Sequence, residues 1–461
     1  MEKQKEISVD KMAVMPVGKL MLSTGIPMVL SMVLQAVYNI VDSAFVSNMK
    51  ENGEEAINAL TLAFPLQMLM VAFAIGTGVG ANALVSKCLG QKDFQKSSKA
   101  AGNTLFMAVI IYVAFLLFGV FGTDVYISSQ TSNSLIADMA KDYLRICCVA
   151  SFGIVFFSVY EKLLQSAGHS LYSTIAQITG ALINIVLDPI MIYGLLGCPA
   201  MGVKGAALAT VIGQIASFAV ALIFHFRVNR NIDNSLRYLK PSAEIIREIY
   251  SIGFAAIIAQ ALMSLMTYGL NVVLVRLGEP MVTAYGIYYK IQQFILFAAF
   301  GLRDAMTPVI SYSHGMGSKR RIQDGIRYGM IFTLAVMIFG TLASEIFANP
   351  LTSLFSLSGE TQKLCLSAIR IISLSYVFAG INIACQGVFQ ALGGGLQSLV
   401  VSLGRQLVFV FPLVFLFAGI AGKSADMNWL VWVSFPIAEL ITAAVGMILL
   451  KRMCAGVYRC M

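Results

Sequence analysis

Apolar stretches of about 20 residues or more recur along the whole chain and are separated by short polar segments. A helix of that length spans the hydrocarbon core of a bilayer. Charged residues make up only 12% of the 461 residues, and the mean hydropathy is +0.80. A soluble protein of this size would expose much of that apolar surface to water, so the composition excludes a soluble enzyme and a disordered chain. The sequence predicts an all-α polytopic membrane protein.

The hydropathy pattern predicts twelve transmembrane helices. Their ranges are 19–47, 56–87, 99–121, 138–165, 168–195, 202–227, 247–276, 281–313, 325–347, 362–391, 395–420 and 428–451. Lysine and arginine concentrate at the two termini and in the segments after the second, sixth and eighth spans, whereas the alternate segments are poor in base. The positive-inside rule therefore places both termini in the cytoplasm and requires an even number of spans.

An internal repeat divides the chain into two halves. A shift of 228 residues lays Gly25 onto Gly253, and a shift of 225 aligns identical residues over most of a half. The second shift aligns Ala59, Gln67, Gly76, Ser86, Gly90, Gln165 and Gly168 with Ala284, Gln292, Gly301, Ser311, Gly315, Gln390 and Gly393. The repeat predicts two six-helix lobes related by a pseudo-two-fold axis along the membrane normal, with a substrate site between them. The predicted segments are a cytoplasmic N-terminal segment (1–18), an N-lobe (19–227), a cytoplasmic linker (228–246), a C-lobe (247–451) and a cytoplasmic tail (452–461).

Two acidic residues lie deep within predicted spans of the first half. Asp42 and Asp188 are at matching depth, roughly 30 Å from the inner surface. Gln35 and Asn39 share a helix face with Asp42, and Asn184 stands one turn before Asp188. These two spans contain no deep lysine or arginine. Because carboxylates without a cationic partner must be protonated or hold a cation, the set predicts a site for a proton or Na⁺, with hydrogen-bonded structural acids as the alternative.

The second half does not repeat these acids. Its charged residues at membrane depth are Lys290, Arg303, Asp304, Arg370, Arg405 and Glu439. Opposite charges predict ion pairs, with Glu439 within reach of any of the bases at positions 405, 370 and 290. Arg303 and Asp304 are adjacent and are expected to point in different directions, each toward its own partner. A role in substrate binding or proton relay is the alternative for Asp304 and Glu439.

No catalytic or nucleotide-binding motif is complete in the chain, and the three histidines lie far apart. The sequence therefore predicts neither an enzyme nor a cofactor other than a coupling ion. Methionine and aromatic side chains suit an adaptable cavity for organic cations. The candidates for such a cavity, besides Gln35, are Met28, Met32, Tyr38 and Met68.

Four segments resemble the multidrug and toxic compound extrusion (MATE) transporters. They are Gly25–Asp42 in the first span, Gly76–Ala83 in the second, Asn184–Pro189 in the fifth and Gly202–Thr210 in the sixth. The Asn-x-x-x-Asp-Pro and Gly-x-x-Gly-Ala-Ala-x-Ala-Thr elements carry most of the specificity.

The resemblance implies a twelve-helix, two-lobed antiporter of a bacterial-type plasma membrane. Such a protein expels amphipathic, often cationic compounds in exchange for Na⁺ or H⁺ by alternating access. The resemblance also implies that Asp42, Asn184, Asp188 and Thr210 form the cation site, the first three being ligands if the ion is Na⁺. Some members carry acids at depth in the seventh and tenth spans. This chain does not, so no second cation site of that kind is expected.

A related flippase for a lipid-linked saccharide or another anionic lipid is the alternative function. Lys290, Arg303, Arg370 and Arg405 would then line a cationic cavity. A channel is disfavoured because the chain lacks a filter-like motif. Because the repeat supplies both halves of a pathway, we expect a monomer in the bilayer, with drug-like substrates and no nucleic-acid partner.

Overall fold

The computed structural model describes residues 11–49, 53–353, 359–422, 427–459 and 461. The first ten residues of the predicted N-terminal segment and residue 460 of the predicted tail lie outside these ranges. Within the described ranges the regular structure is entirely helical. Ten helices there are long and apolar enough to span a membrane, and two bent helix pairs bring the number to twelve if each pair is one span. The predicted fold class is thereby confirmed.

In the described ranges of the first half, a helical turn at residues 11–14 is followed by eight longer helices. They are α1 Val17–Ser47, α2 Gly53–Gly90, α3 Phe94–Leu117, α4 Thr123–Ser128, α5 Ser134–Val149, α6 Phe152–Ser166, α7 Ser170–Tyr193 and α8 Val203–Val228. A π-helical turn, Phe118–Gly122, joins α3 to α4 within one span. The axes of α5 and α6 meet at 46°.

The second half, in the part that the structure describes, also contains eight helices. They are α9 Ala243–Leu274, α10 Glu279–Gly315, α11 Lys319–Ser353, α12 Gly359–Ser373, α13 Tyr376–Ala391, α14 Gly395–Leu403, α15 Val410–Ala421 and α16 Leu430–Arg459. A π-helical turn, Gly404–Val408, joins α14 to α15, and α12 meets α13 at 51°.

The predicted spans 138–165 and 362–391 are each broken, and the two breaks lie 224 residues apart, within one residue of the shift that aligns the halves. At the second break the hydroxyls of Ser373 and Ser375 donate to the carbonyls of Arg370 and Ile372, at 3.0 and 2.6 Å. Such bonds compete with the backbone ladder of a helix and bend it. Hydropathy locates an apolar stretch but does not reveal these bonds from serine hydroxyls to backbone carbonyls. The sequence therefore predicts one continuous helix for each span.

Packing divides the chain into two compact units. The first unit takes Leu30–Ile257 together with the described residues up to Met15, and the second takes Pro16–Val29 and Ile258–Met461. The residues of α1 before Leu30 therefore pack within the second unit, and those of α9 before Ile258 pack within the first. The two division points are 228 residues apart, the shift that aligns Gly25 with Gly253. The units depart from the lobes predicted as 19–227 and 247–451 because hydropathy does not tell which neighbours a span packs against.

Glycines permit a close helix crossing inside each unit. In the first unit α2 meets α9 at Gly76, where an added Cβ would lie 2.9 Å from the carbonyl oxygen of Gly253. In the second unit α10 meets α1 at Gly301, where an added Cβ would lie 2.7 Å from the Cα of Val29. Both distances are too short for a side chain, so glycine is required at these two positions, which the 225-residue shift aligns.

The linker between α8 and α9 is hydrogen-bonded to α3. The Asn103 side-chain oxygen accepts from the backbone N–H of Ser242 at 2.7 Å, and its amide donates to the carbonyl of Lys240 at 3.3 Å. The backbone N–H of Asp233 donates to the hydroxyl of Ser98 at 2.8 Å. The linker is thus anchored within the first unit.

Candidate cation-binding site

Asp42 of α1 and Asp188 of α7 face each other in the first unit. Their carboxyl groups lie within hydrogen-bonding reach of each other. Asp188 is fully buried, and Asp42 is half-buried. Among the described residues, neither acid belongs to any ion pair. Two carboxylates in this position repel each other unless a proton or a cation lies between them.

Further oxygens surround the two acids. The amide of Asn184 donates to Asp188 at 3.2 Å and contacts the Thr210 hydroxyl at 3.5 Å, which leaves its own side-chain oxygen as an acceptor. Three buried oxygens have no hydrogen-bond partner among the residues that the structure describes, namely Asp42 Oδ1, Asn184 Oδ1 and Asp188 Oδ2. Buried oxygens normally have partners. Because all three are hard oxygen ligands, the donor set fits a proton or Na⁺ and does not resemble a zinc or copper site.

The crossing of α7 and α8 brings Asn184 opposite Thr210. An added Cβ at Gly213 would lie 2.7 Å from the carbonyl oxygen of Gly180 and 3.0 Å from the Cβ of Asn184. The two helices therefore approach backbone to backbone at this level. Thr210, one turn before Gly213, is consequently held beside the amide of Asn184. The predicted residues Asp42, Asn184, Asp188 and Thr210 thus lie together, although their role in coupling stays a prediction.

The other predicted residues of α1 are distributed differently. Tyr38 lies beside Thr210 and both acids. Gln35 accepts a hydrogen bond from Gln177 of α7 at 2.7 Å. Asn39 is exposed, and within the described ranges its side chain forms no hydrogen bond with the acids. The structure therefore brings Tyr38 rather than Asn39 to the pair.

The methionine candidates do not gather at one place. Met28 is buried in the part of α1 that packs within the second unit. Met32 and Met68 are half-buried in the first unit. Their role in lining a cavity stays a prediction.

Sequence reasoning missed two buried neighbours of Asp42. Tyr143 and Cys147 of α5 lie close enough to Asp42 to interact electrostatically. The amide of Gln67 joins them, at 3.3 Å from the Tyr143 hydroxyl and 3.4 Å from the Cys147 sulfur. The one sequence signal for this cluster was the alignment of Gln67 with Gln292 in the repeat. Tyr143 and Cys147 themselves belong to an ordinary amphipathic pattern in α5.

In the second unit, the negative charge of Glu439 is balanced by a neighbouring arginine. Arg405, in the π-helical turn, donates to Glu439 from Nε at 3.0 Å and from Nη2 at 2.7 Å. The amide of Asn382 donates to the other carboxylate oxygen at 2.7 Å. The predicted pairing of Glu439 with Arg405 is confirmed, and this buried arginine donates two charge-assisted hydrogen bonds to one carboxylate oxygen of Glu439.

The prediction that Arg303 and Asp304 have separate partners was wrong. Arg303 donates to Asp304 from Nε at 3.0 Å and from Nη2 at 2.8 Å. Adjacency in a helix fixes the directions of the two Cβ atoms, but the long arginine side chain can fold back to its neighbour. Gly387 of α13 leaves space for the stem of Arg303, since an added Cβ there would lie 3.0 Å from Cγ.

The MatE family model matches residues 27–190 and 255–416, which together cover most of the chain. The chain belongs to the MATE family of transporters. Members of this family are transporters rather than enzymes and need no cofactor. The resemblance of the four sequence segments to this family is thereby confirmed, and with it the assignment of the chain as an integral membrane protein.

Several known proteins are similar to this MATE chain along nearly its whole length. It is 26% identical over 435 residues to the multidrug export protein MepA of Staphylococcus saprophyticus, covering 94% of this chain and 93% of MepA. A solved multidrug resistance MATE transporter of the MOP superfamily, in an outward-facing conformation, is 25% identical with a TM-score of 0.90, covering 97% of this chain and 98% of that one. A MOP superfamily transporter from Pyrococcus furiosus, whose binding pocket of reversed polarity suggests a different function, is 25% identical with a TM-score of 0.88 and the same coverage.

Proposed function

We propose that this MATE transporter is a secondary active multidrug exporter, exchanging amphipathic, cationic compounds for Na⁺ or H⁺ by alternating access. The observation that carries the proposal is the pair Asp42 and Asp188, whose carboxyl groups face each other and form no ion pair among the described residues. Such a pair needs a proton or another cation between its carboxylates, and a coupling ion would supply it. The similarity to MepA, a multidrug export protein, supports drug-like molecules as the other substrate.

Coupling follows if the cation and the drug stabilise different states or compete for one site. Binding of a cation neutralises the acids and removes the negative charge that attracts a cationic drug. Loss of the cation restores that charge and favours the next drug molecule. A membrane potential that is negative inside contributes about 2.3 kcal/mol per charge per 100 mV to inward movement of the cation.

We infer that both termini lie in the cytoplasm of a cell with a bacterial-type plasma membrane. Basic residues at the termini and in the linker, at the start of α3 and at the start of α11 support this orientation. Asp42 and Asp188 then lie in the outer half of the membrane, so a cation reaches them from outside. One copy of the chain provides both units, and we expect a monomer.

Transport of ethidium into proteoliposomes tests the proposal. A Na⁺ gradient and a pH gradient are imposed separately on the wild type, and the gradient that drives dye movement identifies the coupling ion. Asp42→Asn and Asp188→Asn are each expected to lower the driven rate at least roughly 100-fold, because each removes a charge that the cation must neutralise.

Ser43→Ala is the matched control, since Ser43 adjoins Asp42 but is exposed and its hydroxyl donates to the backbone of Asn39. It is expected to transport at the wild-type rate. Full dye transport by both Asp variants would contradict the cation site. Absence of driven transport in the wild type would contradict the exporter.

The alternative, a flippase for an anionic lipid, depends on free bases at membrane depth. Arg303 and Arg405 are each bound to a carboxylate, which leaves Lys290 and Arg370 of the predicted basic set. Arg370 is exposed. Binding of a lipid diphosphate, together with no response to ethidium under either gradient, would favour the flippase instead.

A further inference from the structure

A second set of buried charges lies at the other end of the helices of the first unit. Lys162 and Glu161, near the end of α6, are 1% and 7% exposed. The Lys162 ammonium donates to the Gln165 side-chain oxygen at 3.0 Å and lies 4.0 Å from the Glu161 carboxylate. The Gln165 amide donates to Glu161 at 2.9 Å. Desolvation of buried charges is costly even when they are paired, so this cluster requires a reason.

The second unit keeps the same glutamine–serine bond but has uncharged residues at the two positions aligned with Glu161 and Lys162. Gln165 donates to the hydroxyl of Ser173 in α7 at 3.4 Å, and Gln390 donates to the hydroxyl of Ser398 in α14 at the same distance. The 225-residue shift aligns Glu161, Lys162, Gln165 and Ser173 with Gln386, Gly387, Gln390 and Ser398. Gly387, aligned with Lys162, packs instead against the stem of Arg303, so the nearby ion pair of the second unit comes from α10. A glutamate and a lysine at these two positions of α6 occur in the unit that also carries the two deep acids.

One face of α7 connects this cluster with the acids. Ser173, Gln177, Asn184 and Asp188 follow one another at intervals of four, seven and four residues, so they share a helix face. The distance along the axis from Ser173 to Asp188 is roughly 22 Å. Gln177, in the lower part of this face, donates to Gln35 of α1 at 2.7 Å. A polar face thus runs from the acids to the buried cluster inside a single unit.

The same part of α7 contains buried oxygens for which the described part of the chain provides no hydrogen-bond partner. They are Thr174 Oγ1, one residue beyond Ser173, and Asn184 Oδ1 beside the acids. Between these levels, at Gly180, the helix contacts the hydroxyl of Ser217 in α8. Oxygens of this kind bind water or a small cation, and the carboxylates at both ends disfavour an anion.

We propose that Glu161 and Lys162 form an inner relay site through which the coupling cation leaves the first unit. The ligand class is a monovalent cation, a proton or Na⁺. The cation moves from Asp188 along the polar face of α7 to the Glu161 carboxylate and then to cytoplasmic water. If it is a proton, the Asp188 carboxyl loses it, Glu161 gains it, and water finally accepts it. The Lys162 ammonium balances the charge of Glu161 while the relay is empty. The inference rests on the proposed function, because a relay is needed only if the acids bind the coupling ion.

Two transport modes separate a relay from a structural role. Purified full-length protein in liposomes is assayed for ethidium uptake driven by the gradient that drives the wild type, and for ethidium exchange with equal ion concentrations on both sides. Exchange uses only drug-loaded states and needs no cation release. Glu161→Gln is expected to slow driven uptake at least tenfold and to leave exchange within twofold of the wild type. Release of ethidium from the detergent-solubilised protein by the coupling cation is expected to be unchanged.

Three further variants keep the test decisive. Glu161→Asp retains the carboxylate and is expected to recover most of the driven rate. The double variant Glu161→Gln with Lys162→Met replaces the ion pair by neutral groups, and it is expected to show the same selective loss if the single variant folds poorly. Gln386→Ala, at the position that corresponds to Glu161 in the second unit, is expected to transport normally in both modes.

Driven uptake at the wild-type rate in Glu161→Gln would overturn the relay. So would an equal loss of both modes in well-folded protein, which is the result expected of a structural ion pair. Failure of the proposed function has a different signature, since the wild type itself would then show no uptake under either gradient. Separate Na⁺ and pH gradients identify which of the two cations uses the relay.

Discussion

The two units share packing contacts but not charges. Ser86 donates to the carbonyl of Ser166 at 3.0 Å in the first unit, and Ser311 donates to that of Ala391 at 2.9 Å in the second. The glycine crossings, the glutamine–serine bonds at the helix ends and the broken spans recur in the same way. In contrast, Asp42 and Asp188 of the first unit have no basic partner among the described residues, whereas Asp304 and Glu439 of the second each bind an arginine. The shared contacts belong to the duplicated packing, and the uncompensated acids are the site that we propose for the coupling cation.

A fixed positive charge beside Asp42 and Asp188 would remove the difference between the two units and is expected to have the largest effect on transport. Thr210→Lys places an ammonium beside Asn184 and Asp188, as Arg405 stands beside Glu439. We expect folded protein whose gradient-driven ethidium transport falls roughly 100-fold, because the fixed charge occupies the place of the coupling cation.

Thr210→Met has a side chain of similar length without the charge and serves as the control. We expect it to retain more transport than the lysine variant at equal expression. Equal activity of the two variants would mean that charge at this site is not what couples transport.

The opposite change leaves a carboxylate of the second unit without its base. Arg405→Met is expected to destabilise the protein by about 3 to 5 kcal/mol, because Glu439 would stay buried and uncompensated. The measurement is thermal unfolding in detergent, followed by the fluorescence of Trp432, which is fully buried.

The double variant Arg405→Met with Glu439→Gln removes both charges and is expected to recover most of that stability. If the single and double variants unfold at the same temperature, the ion pair between Arg405 and Glu439 does not stabilise the second unit.

The shared scaffold can be tested at its glycine crossing. Gly301→Ala is expected to cost about 1 to 3 kcal/mol, because the new methyl would overlap the backbone of α1 at Val29. Gly286→Ala, in the same helix, meets no atom within 4 Å and is expected to be neutral or slightly stabilising. Unfolding of the two variants side by side measures the difference, and indistinguishable melting curves would argue against the close crossing.

The smallest expected effect concerns the linker, which is anchored to the first unit through Asn103. Asn103→Ala removes the bonds to Lys240 and Ser242 and is expected to cost about 1 kcal/mol. The sensitive readout is tryptic cleavage of the linker in native protein, which we expect to become faster. Tyr328→Phe, at the position aligned with Asn103 in the second unit, is expected to leave cleavage unchanged. Equal cleavage of the two variants would argue against the anchor.

Much of this organisation could be predicted from the sequence because it depends on long-range averages. Hydropathy over some twenty residues locates the spans, and the constant shift reveals the duplication. Asp42 and Asp188 were recognisable because a carboxylate is rare and costly at that depth. Their proximity was inferable from matching depth alone, without knowledge of which helices cross.

What could not be predicted depends on side-chain reach and on helix neighbours. Arg303 bends back to Asp304, which no periodicity argument indicates. Tyr143 approaches Asp42 from α5, and its position follows from a crossing that the sequence does not specify. The division of α1 at Leu30 has the same origin, since a continuous apolar stretch carries no mark of a change of partners.

The sharing of α9 also affects the order in which the chain can fold during synthesis. When α1 to α8 have entered the membrane, the two acids are already present, but the partner of Gly76 in α2 has not been made. That surface stays in contact with lipid until residues 243–257 emerge. The first unit therefore cannot complete its packing with the first half of the chain alone. If the chain is divided at the linker, the two pieces should associate only when both are synthesised into the same membrane.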